Sequence, residues 1–186
     1  GLEINHDIAR EYMGYKLDDY FAALKERFNA DFDLEEVASE HKKEVEKYYR
    51  ELYPLVPHAE ELVKTLDEKG YLIGLSTSST RNSAEAVLTR FDIMKYFKAS
   101  TCGNEVSYGK PDPEIFLSTM EKLGVEGKEC VVIEDSLNGM QGAKDAGASV
   151  IARKAGHNLH QNFSIADYVV EDLLDVLKIL TDLNQG

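Results

Sequence analysis

The segment Cys130-Val131-Val132-Ile133-Glu134-Asp135-Ser136 joins four apolar residues to two adjacent carboxylates. Together with the Leu137-Asn138-Gly139 that follows, it predicts a buried parallel strand, a turn and a helix. Ligands of open α/β sheets bind outside the carboxyl ends of the strands, so paired acids at this point predict a metal or phosphate site. Capping of the next helix by Glu134 or Asp135 explains the same residues, and this segment alone does not decide between the two interpretations.

The composition predicts a soluble globular protein. The chain has 186 residues, of which 43% are hydrophobic. At ~150 residues per domain, this is enough for one core and a smaller second unit. The formal charge of -13 arises from 34 acidic and 21 basic residues, without a basic tract. This balance argues against nucleic acid and against an anionic membrane surface as partners.

The cysteines and the hydropathy pattern predict a cytoplasmic protein. The two cysteines, Cys102 and Cys130, are too few for a disulfide framework, and Cys130 opens the apolar strand described above. No apolar run approaches the ~20 residues that a membrane span needs. The start Gly1-Leu2-Glu3-Ile4 lacks the character of a signal peptide.

Residues 1–53 show no convincing strand pattern and predict a helical unit. Apolar and aromatic residues recur at helical spacing, at Leu17, Tyr20, Phe21, Leu24 and Phe28. This spacing predicts an amphipathic helix. Asp33, followed by acids in the first turn, predicts the start of a second helix that runs toward Leu52. Two prolines within residues 54–57 interrupt the helical pattern, and a hinge is predicted there.

Beyond residue 57 the pattern changes to alternating strands and helices, which predicts a parallel sheet covered by helices on both faces. The predicted strands are residues 71–75, 99–102, 130–133, 149–152 and 168–170. The predicted helices are residues 58–69, 81–90 and 113–123, one that ends at 146, and 173–183.

Two polar segments fall at the ends of these predicted elements. Ser76-Thr77-Ser78-Ser79-Thr80 lies between a strand and a helix, where hydroxyl and backbone N–H groups hold anions. An N-cap accounts for one of these five residues. In Gly109-Lys110-Pro111-Asp112-Pro113 the prolines stiffen the loop and fix the direction of one ammonium group, although a lone lysine in a surface loop is usually solvated. A parallel sheet brings both segments and Glu134-Asp135 to one edge.

Three motifs carry a resemblance to a known family. They are Leu75-Ser76-Thr77-Ser78-Ser79, the segment from Cys102 to Phe116 around Gly109-Lys110-Pro111, and Val132-Ile133-Glu134-Asp135-Ser136-Leu137-Asn138-Gly139. In order and spacing they resemble motifs two, three and four of the haloacid dehalogenase superfamily, in the branch of phosphatases and phosphomutases similar to β-phosphoglucomutase. The resemblance implies an α/β fold in which a Rossmann-like parallel sheet core, residues 58–186, carries a helical cap domain, residues 1–53.

The resemblance also implies Mg²⁺-dependent phosphoryl transfer through a phosphoaspartate. Thr77 and the backbone around Ser78 bind the phosphoryl group in this chemistry, and Lys110 neutralises charge on the nucleophile and on the phosphoryl oxygens. Glu134 and Asp135 hold Mg²⁺ directly or through water, because this ion prefers oxygen ligands and keeps part of its water shell. The expected partner is a small phosphorylated metabolite over which the cap closes.

One motif of the family is not found in the sequence. Its first motif is an apolar strand that ends in Asp-x-Asp and supplies the nucleophile and the general acid/base. Asp31-Phe32-Asp33 has the acids, but only Asn29-Ala30 precede it, which predicts a helix cap instead. The chain alone is therefore expected to be inactive.

The resemblance implies that this first strand is the central one, between the strands that end near Thr77 and Glu134. Without it the core is incomplete, because unpaired backbone groups away from water cost about 1 to 3 kcal/mol each. We therefore expect either further residues before Gly1 or a strand from a second chain, by exchange, in this place.

A phosphomutase needs cap residues that bind a second phosphate. After Tyr12-Met13-Gly14-Tyr15 the sequence has Lys16-Leu17-Asp18-Asp19, without the arginine of the sugar phosphomutase. Lys16 is a weak substitute, so the sequence favours a phosphatase. A sugar phosphomutase, or an inactive scaffold that keeps a phosphate and metal pocket, stays as the alternative.

Overall fold

A computed structural model describes residues 8, 11–12 and 15–184, without the side chains of residues 42, 45, 46, 49 and 50. The first two helices whose start and end are both described are α1 (Leu17–Arg27) and α2 (Leu34–Glu51). Helix α1 buries Phe21 and Leu24, two members of the predicted apolar stripe. Asp33 caps α2 by accepting a hydrogen bond from the Glu36 N–H at 2.9 Å. Both predicted helices are confirmed, and the role of this unit as a cap stays a prediction.

Beyond residue 57, the described chain contains five strands and five α-helices in the predicted order, in which strands and helices alternate except that the last two strands follow each other. The strands are β1 (Gly74–Thr77), β2 (Ala99–Cys102), β3 (Val131–Glu134), β4 (Ser149–Arg153) and β5 (Tyr168–Val170). The helices are α3 (Ala59–Glu68), α4 (Arg81–Arg90), α5 (Glu114–Leu123), α6 (Leu137–Asp145) and α7 (Asp175–Leu183).

The first strand lies further along the chain than predicted. Residues 71–75 were expected to be extended, but Gly70 adopts a φ of 81° and the Tyr71 N–H bonds to the Leu66 carbonyl oxygen at 3.0 Å. This hydrogen bond completes the turn after α3. Gly70 allows the turn, because glycine adopts the left-handed conformation without a steric cost. Strand β1 therefore pairs with β2 only from Gly74 onward, and Thr77 is its last residue.

The strands pair in parallel within two separate sheets. One sheet contains β1 and β2, and the other has the order β3-β4-β5. Among the described residues, β1 and β3 do not pair with each other. We call the space between them the strand slot.

Helices cover both faces of the sheets, as expected for a parallel arrangement. Val150 and Ala152 of β4 pack in the cluster that contains residues of α5 and α6, whereas Ile151 packs with residues of α3 and α7. Ile73 and Ile133 join the same cluster as Ile151, so one core extends beneath both sheets.

No helix in the described ranges is long and apolar enough to cross a lipid bilayer.

Candidate active site

Lys110 lies between the carboxyl ends of β1 and β3. Its ammonium group donates to the Ser76 carbonyl oxygen at 3.3 Å and to the Glu134 carboxylate. It also lies 4.9 Å from the centre of the Phe116 ring. Lys110 is 7% exposed and Glu134 is 9% exposed. Lys110 is therefore not a solvated surface lysine, and each buried charge depends on the other.

The loop that carries Lys110 is fastened to the start of α5 by Glu114. The Glu114 carboxylate accepts hydrogen bonds from the backbone N–H groups of Ser107 at 3.0 Å and Tyr108 at 2.8 Å. These two donors hold the pKa of Glu114 below its usual value. The sequence did not indicate this role for Glu114, because an acidic residue after a proline is common at the start of a helix and needs no further explanation.

Neither acid of the Glu134-Asp135 pair caps the next helix. Ser136 has that role, because its hydroxyl oxygen accepts a hydrogen bond from the Gly139 N–H at 3.0 Å. The Glu134 carboxylate accepts hydrogen bonds from the Asp135 N–H and the Ser136 hydroxyl, each at 3.2 Å. The capping interpretation of the two acids is thus wrong.

The Asp135 side chain is 48% exposed, in contrast to that of Glu134. One of its oxygens lies 3.1 Å from Nε2 of His157. Asn158, which is 0% exposed, donates hydrogen bonds to the carbonyl oxygens of Asp135 at 2.8 Å and Arg153 at 2.9 Å. His157 and Asn158 belong to an irregular segment in which no sequence pattern identified them.

In the segment of residues 76–80, two hydroxyl groups hold neighbouring elements in place, and the hydroxyl group of Thr77 lies at the end of a strand. The Ser76 hydroxyl donates to the Thr119 hydroxyl at 2.8 Å, and Thr80 caps α4 by accepting from the Ser83 N–H at 3.3 Å. Thr77 ends β1, and its hydroxyl oxygen accepts from the Ser79 N–H at 3.2 Å. The Thr77 hydroxyl is therefore at the strand end, one residue from the carbonyl that Lys110 contacts.

The loops after β1 and β2 touch each other. The Gly103 N–H donates to the Ser79 carbonyl oxygen at 2.9 Å. A Cβ atom on Gly103 would lie 2.2 Å from the Ser78 carbonyl oxygen, so this approach requires glycine. The backbone after Thr77 is thus positioned by the neighbouring strand.

Arg81 links the same two loops at the start of α4. Its backbone N–H donates to the Asn104 side-chain oxygen at 2.9 Å, and its guanidinium group binds both carboxylate oxygens of Glu105, at 2.7 and 2.9 Å. Burial raises the pKa of Glu105, but hydrogen bonds from Arg81 and the Cys102 N–H outweigh it and hold this pKa below its usual value. The two-point geometry fixes the loops more firmly than a single contact does.

The donor set fits a magnesium ion only in part. The described residues contain no cluster of three or more His, Cys, Asp or Glu side chains that is placed to hold a metal. Asp135 offers a half-exposed carboxylate, whereas the oxygens of Glu134 accept from Lys110, Asp135 and Ser136. Mg²⁺ is commonly held by one or two carboxylates, with waters and substrate phosphate oxygens as further ligands.

Gly139→Ala is expected to disturb the Lys110–Glu134 pair. A Cβ atom at this position would lie 2.2 Å from the carboxylate carbon of Glu134. Relief requires either the carboxylate or α6 to move, and overpacking of this kind costs about 1 to 3 kcal/mol. Urea unfolding measures the loss, with Gly156→Ala as the control because nothing lies within 4 Å of a Cβ atom there. Equal stability of the two variants contradicts this description of the site.

The sequence model of haloacid dehalogenase-like hydrolases matches residues 1–153. The chain belongs to this family. The phosphorylated carbohydrates phosphatase of Thermotoga maritima is 31% identical over 183 residues, which are 96% of this chain and 85% of that protein. Hexitol phosphatase B of Escherichia coli is 35% identical over 127 residues, and the match spans 68% of this chain and 57% of that protein.

Solved structures of similar proteins show the same fold. A putative β-phosphoglucomutase from Thermotoga maritima has a TM-score of 0.71 at 30% identity and covers 95% of this chain and 84% of its own. CbbY from Rhodobacter sphaeroides, in complex with phosphate, has a TM-score of 0.81 at 22% identity, and the match covers 92% of this chain and 80% of that one. This haloacid dehalogenase-like hydrolase therefore has the expected Rossmann-like α/β fold, and it resembles relatives that are named as phosphatases.

Proposed function

We propose that the chain is a Mg²⁺-dependent phosphatase that releases phosphate from a small phosphorylated metabolite through a phosphoaspartate. The observation that carries the proposal is the position of the Lys110 ammonium group, which contacts both the Ser76 carbonyl beside Thr77 and the Glu134 carboxylate. A fixed cation, a hydroxyl and carboxylates at the carboxyl ends of parallel strands are groups that orient a phosphoryl group and neutralise its charge.

Each proposed site residue has a separate task. Lys110 stabilises negative charge on the phosphoryl oxygens and on the attacking carboxylate, in a place largely withdrawn from water. Thr77 donates a hydrogen bond to a phosphoryl oxygen, together with the backbone at Ser78. Mg²⁺, when bound, supplies further charge neutralisation at the phosphoryl oxygens. Asp135 is its proposed direct ligand, and Glu134 is proposed to act through water.

The nucleophile is proposed to come from a strand in the strand slot, supplied by residues before Gly1 or by a second chain. All of β1 and the first three residues of β3 are at least partly exposed. By contrast, Thr101 and Cys102 of β2 and residues 150–152 of β4 are 0% exposed. Inner strands of a covered parallel sheet are normally buried on both faces, so the exposure of β1 and β3 supports a further strand between them.

The names of two relatives support a phosphorylated carbohydrate as the metabolite, since one is a phosphorylated carbohydrates phosphatase and the other a hexitol phosphatase. Cys102 and Cys130 are free thiols, which suits the proposed cytoplasmic location.

Asp135→Ala is expected to abolish Mg²⁺-dependent phosphate release. The measurement uses the chain supplied with a strand that ends in Asp-x-Asp and a panel of small phosphomonoesters, with phosphate release followed against Mg²⁺ concentration. A fall of at least about 100-fold is expected, since removal of one preorganised electrostatic group at a reacting centre commonly costs this much. Asp145→Ala is the matched control, because Asp145 is exposed on α6 and, within the described part of the chain, its side chain bonds to Gln141 alone.

Phosphate release that survives in Asp135→Ala contradicts the metal role. If the supplied chain is inert toward the whole panel but binds Mg²⁺ or phosphate, the phosphatase proposal fails and the inactive scaffold replaces it.

A further inference from the structure

A histidine nitrogen lies beside the carboxylate that is the proposed metal ligand. Nε2 of His157 is 3.1 Å from Oδ2 of Asp135, and the two side chains are 50% and 48% exposed. Among the described residues, the Asp135 side chain has no other hydrogen-bond or ion-pair partner. Both donor groups are therefore accessible to an ion from solvent, whereas the Glu134 oxygens already accept hydrogen bonds from neighbouring groups.

The segment that carries His157 is attached at two points to the turn that carries Asp135. Asn158, which is 0% exposed, donates a hydrogen bond to the Asp135 carbonyl oxygen at 2.8 Å. The side-chain oxygen of Gln161 accepts a hydrogen bond from the Leu137 N–H at 2.5 Å. These two bonds keep the imidazole beside the carboxylate, and ligands that are held in place in this way lose little freedom when an ion binds.

The separation of the two donor atoms suits a shared ion. Two ligands that each lie about 2.1 Å from one ion, at a right angle, are about 3.0 Å apart. The 3.1 Å between Asp135 and His157 is close to this value. A hydrogen bond spans the same distance, and a metal ion that binds between the two atoms takes the place of the proton.

A second contact between a histidine and an aspartate in the described chain differs in its chemistry. Nδ1 of His58 lies 2.7 Å from Oδ1 of Asp172, and the side chains are equally exposed, at 45% each. The same Asp172 oxygen also accepts a hydrogen bond from the Leu174 N–H at 2.9 Å. This oxygen already holds the backbone before α7, so the pair is a structural contact and not an open donor set.

We propose that Asp135 and His157 together bind a first-row transition cation, such as Co²⁺, Ni²⁺ or Zn²⁺, in preference to Mg²⁺. Imidazole nitrogen is a common ligand of these ions, whereas Mg²⁺ takes oxygen ligands. One carboxylate and one imidazole as the accessible donors account for the partial fit of the site to Mg²⁺. This inference rests on the proposed function, in which Asp135 is the metal ligand, and it adds His157 as a second ligand that sets the choice of metal.

Co²⁺ is the probe, because its visible absorption changes when a nitrogen ligand is lost. Titration calorimetry on the full chain is expected to show Co²⁺ binding at least about tenfold tighter than Mg²⁺ binding. His157→Gln is expected to weaken Co²⁺ binding at least about tenfold and to change its visible absorption, since the loss of a group that only supports a ligand already costs about 10- to 100-fold. Mg²⁺ affinity is expected to stay unchanged, because glutamine can donate the same hydrogen bond to Asp135.

His58→Asn is the matched control, because it removes an exposed imidazole that also contacts an aspartate. Asparagine tolerates the left-handed conformation of residue 58, where φ is 62°. This variant is expected to bind Co²⁺ as the unmodified chain does, and Asp135→Ala is expected to lose both ions. Equal Co²⁺ affinity of His157→Gln and the unmodified chain overturns the proposal, as does an equal loss in His58→Asn.

Phosphate release by the chain supplied with a strand that ends in Asp-x-Asp separates this proposal from the function on which it rests. Release with Mg²⁺, together with Co²⁺ binding that does not depend on His157, overturns the metal preference alone. Co²⁺ binding that depends on His157, in a supplied chain that is inert toward the whole substrate panel, overturns the phosphatase proposal and supports the metal preference.

Discussion

Lys110→Met is expected to lower the free energy of unfolding by about 3 to 5 kcal/mol, because the change leaves the Glu134 carboxylate buried without its partner. The side chains of Lys110 and Glu134 are only 6% and 8% exposed. Water therefore cannot solvate the remaining charge without a rearrangement of the strand ends. Urea unfolding, followed by far-UV circular dichroism, measures the change.

A second variant separates stability from chemistry. When Lys110→Met is combined with Glu134→Leu, no charge is left buried, and most of the lost stability is expected to return. When the chain is supplied with a strand that ends in Asp-x-Asp, phosphate release is expected to be absent from both variants, because the cation that stabilises the phosphoryl oxygens is gone. A Lys110→Met variant as stable as the unmodified chain would show that this pair is not buried in solution.

The exposed pair of Lys98 and Asp67 provides a matched control. The two side chains are 47% and 35% exposed, and they approach to 2.9 Å. Ion pairs of this kind contribute about 0 to 1 kcal/mol, since water and salt screen them. Lys98→Met is therefore expected to change stability far less than Lys110→Met does.

A peptide with an apolar strand that ends in Asp-x-Asp is expected to bind in the strand slot and raise the melting temperature. At a concentration of 100 times its Kd, a ligand of the folded state adds about 2.7 kcal/mol of stability. For a protein of this size, this gain corresponds to roughly 5 to 10 °C. Hydrogen exchange is expected to slow at backbone amides of β1 and β3, because the peptide supplies hydrogen bonds to both strands.

A peptide with proline at its centre is the control for the strand slot. Proline cannot donate the hydrogen bond that a central strand needs, so this peptide is expected to leave melting temperature and exchange unchanged. Protection that appears at β2 or β5 instead, or an equal effect of the proline peptide, contradicts a slot between β1 and β3.

The positions of most elements follow from local sequence. Helix α4 and strands β2 and β5 have the predicted bounds, since apolar patterns and turn residues lie directly at their ends. The meeting of Lys110, Glu134 and the end of β1 was predictable as well, because parallel strands place their carboxyl ends at one edge. The start of β1 was not predictable, because the pattern did not show that Gly70 and Tyr71 complete the preceding turn.

The residues that contact the site residues could not be predicted from the sequence. Asn158 holds the backbone of Asp135 from 23 positions away. Arg81 and Glu105 join two loops across 24 positions. Such contacts depend on where two loops cross in space, and an isolated asparagine or glutamate gives no periodic signal. For the same reason the sequence presented Glu134 and Asp135 as equivalent acids, whereas the fold buries one against Lys110 and exposes the other.

The most direct test of phosphoryl transfer at the carboxyl ends of β1 and β3 is intact-mass spectrometry after treatment with acetyl phosphate and Mg²⁺. The chain is supplied with a strand that ends in Asp-x-Asp and, in parallel, with the same strand whose first aspartate is asparagine. We expect an acyl-phosphate adduct on the aspartate strand and none on the asparagine strand or on the chain alone. An aspartate strand that binds in the slot without forming an adduct, or an equal adduct on the asparagine strand, would contradict the account.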